Sequence, residues 1–428
     1  MRKMKSSGVE WIGEIPENWK TVKVKQAFVR KNEKAKQENP VILSLARTGV
    51  KVRDVSTNEG QVAESYYNYN PVSVGDLLLN PMDLYSGANC SISDVEGVIS
   101  PAYVNLRSRN GYYSKFYDYY FKAQYWMMVL FAHGKGVSFD NRWTLNNETL
   151  MNFPIVSPDY DTQRRIADFL DDKCGKIDRY IEKQQKIIDK LKEYKQAVIT
   201  EAVTKGLDPD VPMKDSGIEW IGMIPEHWGI RRLRYLGTCI NGISKGGEYF
   251  GSGYPFVSYG DIYKNMELPS SVAGLVETTE DEREWYSVKE GDVFFTRTSE
   301  TIEEVALTST CMKTIENATF AGFLIRFRPN TNLLTKGFSK YYFRSDKHRL
   351  FFVKEMNLVT RASLSQELLK RLPVLLPTID EQLTIAAYLE QKCSNIDEAI
   401  NKKYSVIEKL IKYKKSLIYE AVTGKLEV

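Results

Sequence analysis

Histidine and cysteine are scarce in this sequence. Only three histidines occur in 428 residues, His133, His227 and His348, and no two stand three or four positions apart. A histidine-built metal site is therefore not expected. The five cysteines, Cys90, Cys174, Cys239, Cys311 and Cys393, are widely separated and form no CxxC pair. That removes the spacing of a zinc ribbon and of a disulfide framework. No apolar run approaches the ~20 residues needed to cross a bilayer. The Met1–Lys5 start is basic but has no apolar stretch behind it, so no membrane association and a cytoplasmic location are expected. Net charge is lacking too, since 59 Lys and Arg against 55 Asp and Glu leave +4. A nucleic-acid partner would have to be met by local basic patches rather than by the overall field. The length is about three times the ~150-residue domain prior, so at least two domains are expected.

Catalytic signatures are missing as well. There is no GxxxxGK[ST], GxSxG or HExxH motif,. An amino-methyltransferase loop would need a second proline that Ser157-Pro158-Asp159-Tyr160 and Asn80-Pro81-Met82-Asp83 do not have. Phe250-Gly251-Ser252-Gly253 places its glycines one position too early for an F-x-G-x-G cofactor loop. Catalysis within this chain is not expected.

What the sequence does have is a repeat. Residues 4–19 (MKSSGVEWIGEIPENW) match residues 213–228 (MKDSGIEWIGMIPEHW) at 12 of 16 positions, at an offset of 209. Residues 161–207 match 380–426 at an offset of 219, sharing among others Gln163/Gln382, Cys174/Cys393, Asp178/Asp397 and Leu191/Leu410. Between these framework segments, residues 20–152 and 229–371 diverge. Only fragments align there: Gly75-Asp76 with Gly291-Asp292, Tyr119-Tyr120-Phe121 with Tyr341-Tyr342-Phe343, and Leu145 with Leu364. One scaffold has been used twice with two different inserts.

The repeated C-terminal segments carry heptads. In the first, Leu170, Ile177, Leu191 and Val198 alternate with Cys174, Ile181 and Ile188; in the second, Leu389, Ile396, Leu410 and Leu417 alternate with Cys393, Ile400 and Ile407. Steps of four and three predict the core ladder of a coiled coil. Roughly 40 residues at ~1.5 Å rise make a rod of ~60 Å. A parallel pairing in register would set Lys195 against Lys414, so an antiparallel pairing is preferred. The alternative is that each ladder packs on its own lobe or on another subunit. Gly206–Pro212 ends the first helix and forms the linker,. In the variable lobes, short runs such as Pro40–Leu45, Val74–Leu79, Pro255–Tyr259 and Val293–Thr296 read as strands between turns. The aromatic run Tyr112–Trp126 reads as a core helix. The fold class is α+β, with mixed lobes on a helical spine.

Basic residues gather in the lobes, at Lys20–Lys36 and at Arg231, Arg232 and Arg234. Phosphates favour such clusters because each contact releases counterions. A solvated charged face is the competing explanation. Loop arginines can also read guanine through a bidentate fork. The candidate DNA contacts are Arg47, Lys51, Arg53, Lys135 and Arg142 in the first lobe, and Lys245, Tyr259, Arg297 and Arg361 in the second. Cys174 and Cys393 hold equal ladder positions and read as small core residues.

The framework resembles the DNA-specificity (S) subunit of type I restriction–modification systems. The resemblance rests on Ile15-Pro-Glu-Asn-Trp19 and Ile224-Pro-Glu-His-Trp228, on Gly75-Asp76-Leu-Leu-Leu79 and Gly291-Asp292-Val-Phe-Phe295, and on Asp161-Thr-Gln-Arg-Arg-Ile166 and Asp380-Glu-Gln-Leu-Thr-Ile385. Their order, given twice, covers essentially the whole chain. The commoner form of the last motif has Glu-Gln, where the first half carries Thr162. The resemblance implies two target recognition domains, 1–155 and the later part of 208–371, with spacer helices at 156–207 and 372–428 forming an antiparallel coiled coil. It implies a non-catalytic subunit that reads a bipartite, asymmetric duplex sequence. Two methyltransferase (M) subunits would carry S-adenosylmethionine, restriction (R) subunits would use ATP and Mg, and no cofactor would sit in this chain. The competing functions are a two-lobed protein-binding adaptor without DNA affinity and a stand-alone methyltransferase or nuclease.

Overall fold

The computed structural model describes residues 2–55, 63–82, 84, 85, 87, 89–136, 143–299, 305–355 and 362–428. The chain divides into two compact units, Met1–Gln185 with Tyr404–Val428, and Lys186–Lys403. Each unit therefore takes the beginning of one long helix and the end of the other. The first long helix is Tyr160–Lys205 and the second Ile379–Val422. Gly175 does not break the first.

In the first unit the chain opens with a hairpin of Met4–Ser6 and Glu14–Pro16. Lys20–Lys23 then pairs with Pro154–Ser157, the strand that leads into the long helix. The lobe between them holds a four-stranded antiparallel sheet in the order Phe28–Lys31, Val104–Ser108, Leu77–Leu79, Cys90–Ile92. The Ser114–Trp126 helix buries Phe116, Tyr117, Tyr120, Phe121 and Tyr125, so the aromatic run is core, as expected.

The second unit repeats this plan with other residues. Met213–Asp215 pairs with Met223–Pro225, and Gly229–Arg232 with Pro373–Leu376. Its sheet runs Gly237–Asn241, Leu324–Pro329, Val293–Thr296, Thr308–Thr310, again all antiparallel. The Pro255–Tyr259 run is strand only as far as Val257. Tyr259 instead starts a short helix, Tyr259–Lys264, because Ser258 and Asp261 form a capping box ahead of it,.

The shared motifs have structural work in each unit. Gln163 accepts the Tyr113 N–H at 2.7 Å and donates to the Gly111 and Pro158 carbonyls. Gln382 accepts the Thr335 N–H at 2.9 Å and donates to Leu333 and Pro377. Each glutamine thus caps the lobe helix and ties it to the long helix. The opening tryptophans, Trp19 and Trp228, are buried. Trp228 packs on Gly206, which ends the first long helix at φ +77°, and Trp19 packs on Gly424, which ends the second at φ +74°,.

The helix segments within each unit run antiparallel. Lys414 Nζ meets both oxygens of Asp178 at 2.7 Å in the first unit. Lys195 Nζ meets Asp397 at 2.6 and 2.8 Å in the second. These are the same pair by repeat, and each lysine that would oppose its copy in a parallel pairing finds an aspartate. Of the expected coil core, Leu170, Cys174, Ile177, Ile188, Leu389, Cys393, Ile396, Ile400 and Leu417 are buried. Ile181, Leu191, Val198, Ile407 and Leu410 are half-buried. Near the helix ends the buried stripe moves to Ile199 and Val203, and to Ile418 and Val422. A straight helix drifts ~20° per heptad from a 3.5-residue repeat, which over four heptads carries the stripe about one residue onward.

Candidate nucleic-acid interface

Asp76 and Asp292 anchor equivalent turns of the two four-stranded sheets, and Arg297 follows the strand that Asp292 leads into. Asp76 is buried and accepts from Lys31 Nζ at 2.9 Å, Arg107 Nε at 3.0 Å and the Ser73 N–H at 2.9 Å. Asp292 is buried and takes a bidentate fork from Arg328, both contacts at 2.6 Å, plus the Lys289 N–H at 2.7 Å. The Gly-Asp motif is thus an anchor for the turn before the inner strand Leu77–Leu79 in one lobe and Val293–Thr296 in the other. At the far end, that strand leads to Pro81 in one lobe and Arg297 in the other. The Pro81 carbonyl accepts the Leu145 N–H at 2.8 Å, and the Arg297 carbonyl accepts the Leu364 N–H at 2.7 Å. Arg142 and Arg361 each stand three residues before those leucines, at equivalent places in the repeat. Both lie outside the described residues.

The other candidates fall into separate groups. Arg47 is exposed at the tip of the Leu43–Ala46/Gly49–Val52 hairpin, and Lys51 is exposed on its second strand. Arg53 is half-buried and donates its N–H to the Ile42 carbonyl at 2.8 Å. Arg47 borders a cleft of about 480 Å³ with Lys115, Lys122 and Lys414. Lys135 is exposed elsewhere, bonded through its backbone to Thr144, close in sequence to Arg142. In the second unit Lys245 is held inside the lobe. Its ammonium donates to Glu282 and to the Glu277 carbonyl, both at 2.8 Å, and lies over the Tyr249 ring. Tyr259 is half-buried and stacks on Tyr263. Arg297 is half-buried, and its N–H donates to the Phe323 carbonyl at 2.9 Å.

Residue reading passed over Phe323, which is 65 % exposed in the turn before the central strand Leu324–Pro329. No periodicity marks a single aromatic in a turn. Two of the three histidines are packed against the opening motifs, His133 on Trp11 and His348 near Trp220. Burial pushes His348 down to about 3, and Ser345 Oγ is 2.9 Å from its Nδ1. The third, His227, lies 2.7 Å from Glu381. Burial works to raise the Glu381 carboxyl, but hydrogen bonds from His227, Thr378 and Trp228 outweigh it and hold it down to about 2. All five cysteines are buried and unpaired, and burial pushes the Cys174 thiol up to about 11. Among the described residues no cluster of His, Cys, Asp or Glu could hold a metal ion, and no helix is long and apolar enough to cross a membrane.

Two units of one sheet plan, each joined to segments of both long helices and differing in their loops, make an internally duplicated scaffold. Residues 225–409 match the family model for the type I restriction modification DNA specificity domain. The chain is 24 % identical to the type I restriction enzyme EcoKI specificity subunit of Escherichia coli (strain K12), over 75 % of this chain and 67 % of that protein. It is 22 % identical to the MjaVIII specificity subunit of Methanocaldococcus jannaschii, over 97 % and 94 %. Among solved structures, a chain from a study of complex assembly and conformational transition of the type I R-M system aligns with a TM-score of 0.71 at 15 % identity, covering 96 % of this chain and 99 % of that one. The HsdS subunit from Thermoanaerobacter tengcongensis gives 0.52 at 14 %, covering 98 % and 100 %. The second half of the chain is thus similar to the DNA specificity domain of type I systems, and most of its length is similar to proteins named as specificity subunits of type I restriction enzymes.

Proposed function

We propose that each lobe reads one half of a bipartite, asymmetric duplex DNA sequence, and that the shared framework holds two methyltransferase subunits and restriction subunits. The observation that carries this reading is the pair of matching sheets with unlike tips. A common plan keeps the same docking geometry, and different loops give different half-sites. Direct readout depends on the few side chains that reach base edges, so loops can change specificity without changing the fold.

The framework side supports two like partners. In the second unit Tyr194, Leu207, Met213, Met223 and Tyr388 line a groove of about 730 Å³. The corresponding places in the other repeat hold Tyr413, Leu426, Met4, Glu14 and Phe169, and Tyr413 is 58 % exposed. Exposed apolar patches of this kind mark protein contacts. S-adenosylmethionine, ATP and Mg would then be held by the partner subunits in the cytoplasm, and this chain would hold none of them.

Mapping methylated adenines in a host that expresses the whole set, with and without this chain, tests the reading. The expected result is a two-part asymmetric methylated sequence that disappears without the chain. Partner binding with no DNA affinity would instead make it an adaptor.

A further inference from the structure

We propose that Phe323 is an aromatic wedge that packs into a base step of the half-site read by the second lobe. The proposal rests on the DNA reading above. Phe323 stands in the turn from Thr319–Phe320 into the central strand Leu324–Pro329. A large apolar side chain 65 % exposed at such a place has no role in the core beneath it.

The turn beneath Phe323 is clamped from three sides. The Gly322 N–H donates to the Ile243 carbonyl at 2.8 Å, and the Ile243 N–H donates back to the Phe320 carbonyl at 2.8 Å. The Leu324 N–H closes the turn on the Ala321 carbonyl at 2.9 Å, and the Arg297 N–H donates to the carbonyl of Phe323 itself at 2.9 Å. Gly242 lies directly against this backbone. A Cβ there would collide with the carbonyl oxygens of Phe320 and Ala321, and one on Gly322 would collide with the Ser244 hydroxyl. The ring is therefore presented from a fixed backbone, with only its own two side-chain torsions left to order.

Chemistry around the ring favours DNA over an apolar protein surface. Arg297 is joined to it through the backbone, and the segment that follows Arg361 is joined to Arg297 through Leu364. An apolar ring tied through its own carbonyl to the backbone of Arg297 suits a partly unstacked base step lined by phosphates,. The register of the two sheets gives an internal control. Leu106 pairs with Leu77 as Phe327 pairs with Val293, which places Ala102 in the first lobe where the second has Phe323. Ala102 is also exposed. The wedge thus belongs to one half-site only.

The test uses the assembled complex of this chain with its modification partners and a duplex bearing the mapped target sequence. 2-Aminopurine is placed at successive steps of both half-sites. Fluorescence is expected to rise at one step of one half-site with the wild type, and this rise is expected to vanish in F323A. Affinity should fall roughly ten-fold or more, in the range of losing one stacked base, with the salt dependence unchanged because no phosphate contact is removed. F323W should retain both the signal and the affinity. An F323A complex that matches the wild type in affinity and in 2-aminopurine signal overturns the wedge while leaving the DNA reading intact. A wild-type complex with no sequence preference overturns both. Because Phe323 is exposed, F323A should unfold at the wild-type temperature, and a lower value would assign the ring to stability instead.

Discussion

Asp292 is completely buried, and its carboxylate accepts from the Arg328 guanidinium and the Lys289 N–H. Removing it leaves the Arg328 guanidinium, itself largely covered, without its counter-charge. Breaking one side of such a pair costs about 3–5 kcal/mol. D292A is therefore expected to destabilise the second unit by about 3 kcal/mol in denaturant unfolding. Lys336 meets Glu290 at 2.7 Å on the surface, and K336A should cost less than ~1 kcal/mol. Equal effects would reject the buried-anchor account. The Trp19/Trp228 pair gives a second contrast. Trp228 Nε1 donates to Glu381 at 3.2 Å, whereas Trp19 Nε1 is buried with no hydrogen-bond partner among the described residues. The reason is local: the second unit has Thr378 and Glu381 where the first has Asp159 and Thr162, the acid having moved from one end of the cap to the other. The double exchange D159T/T162E should supply the missing acceptor and add about 1 kcal/mol, read as a rise in the unfolding temperature. Glu381 also sets a pH dependence. Its folded value of about 2 lies below the ~4.3 of an unfolded glutamate,, so its contribution is complete above ~4.3 and is lost as the pH falls towards 2. The stability gap between wild type and E381Q should close over that range in melts from pH 6 to 2. A constant gap would reject the assignment.

Among elements, the long helices were the most legible part of the sequence and the sheets the least. Heptads recur over more than 40 residues, so the ladder stands out against noise, and only its drift to Ile199 and Ile418 needed the structure. The sheets are built from strands as short as Cys90–Ile92 and Thr308–Thr310. Three residues show no period. Their partners also come from far along the chain, so two lobes with almost no alignable residues hide one topology. For the same reason the Gly-Asp motif was visible but its Arg107 and Arg328 partners were not. Phe323 was invisible because the turn that presents it packs its backbone against Gly242, some 80 residues earlier. The helix pairing makes its own prediction. Lys195–Asp397 and Lys414–Asp178 are partly exposed, so each adds little stability but opposes like-charge registers. D178K/D397K should lower the unfolding temperature, and adding K195D/K414D should restore it. Failure of the second pair to rescue would mean that these contacts do not select the pairing.

For the molecule as a whole, the boundary between the two units falls at Gln185/Lys186 in the first long helix and at Lys403/Tyr404 in the second. Each unit is self-sufficient on its side of those boundaries: one holds Asp178 with Lys414, the other Lys195 with Asp397. Seven residues added at both points would leave every one of these pairs in place. They would also nearly preserve the helical phase, because seven residues fall only ~20° short of two full turns. The insertion adds about 10.5 Å of helix, close to the rise of three base pairs at ~3.4 Å each. If the helices set the unread spacer, the methylated sequence should keep both half-sequences while the spacer between them grows by roughly three base pairs. A heptad added to only one helix would put its partner out of register, and that variant should lose stability rather than read a new spacer. Sequencing of methylated adenines separates the outcomes. An unchanged spacer with both heptads present would mean that the helices hold the lobes without measuring the DNA between their half-sites.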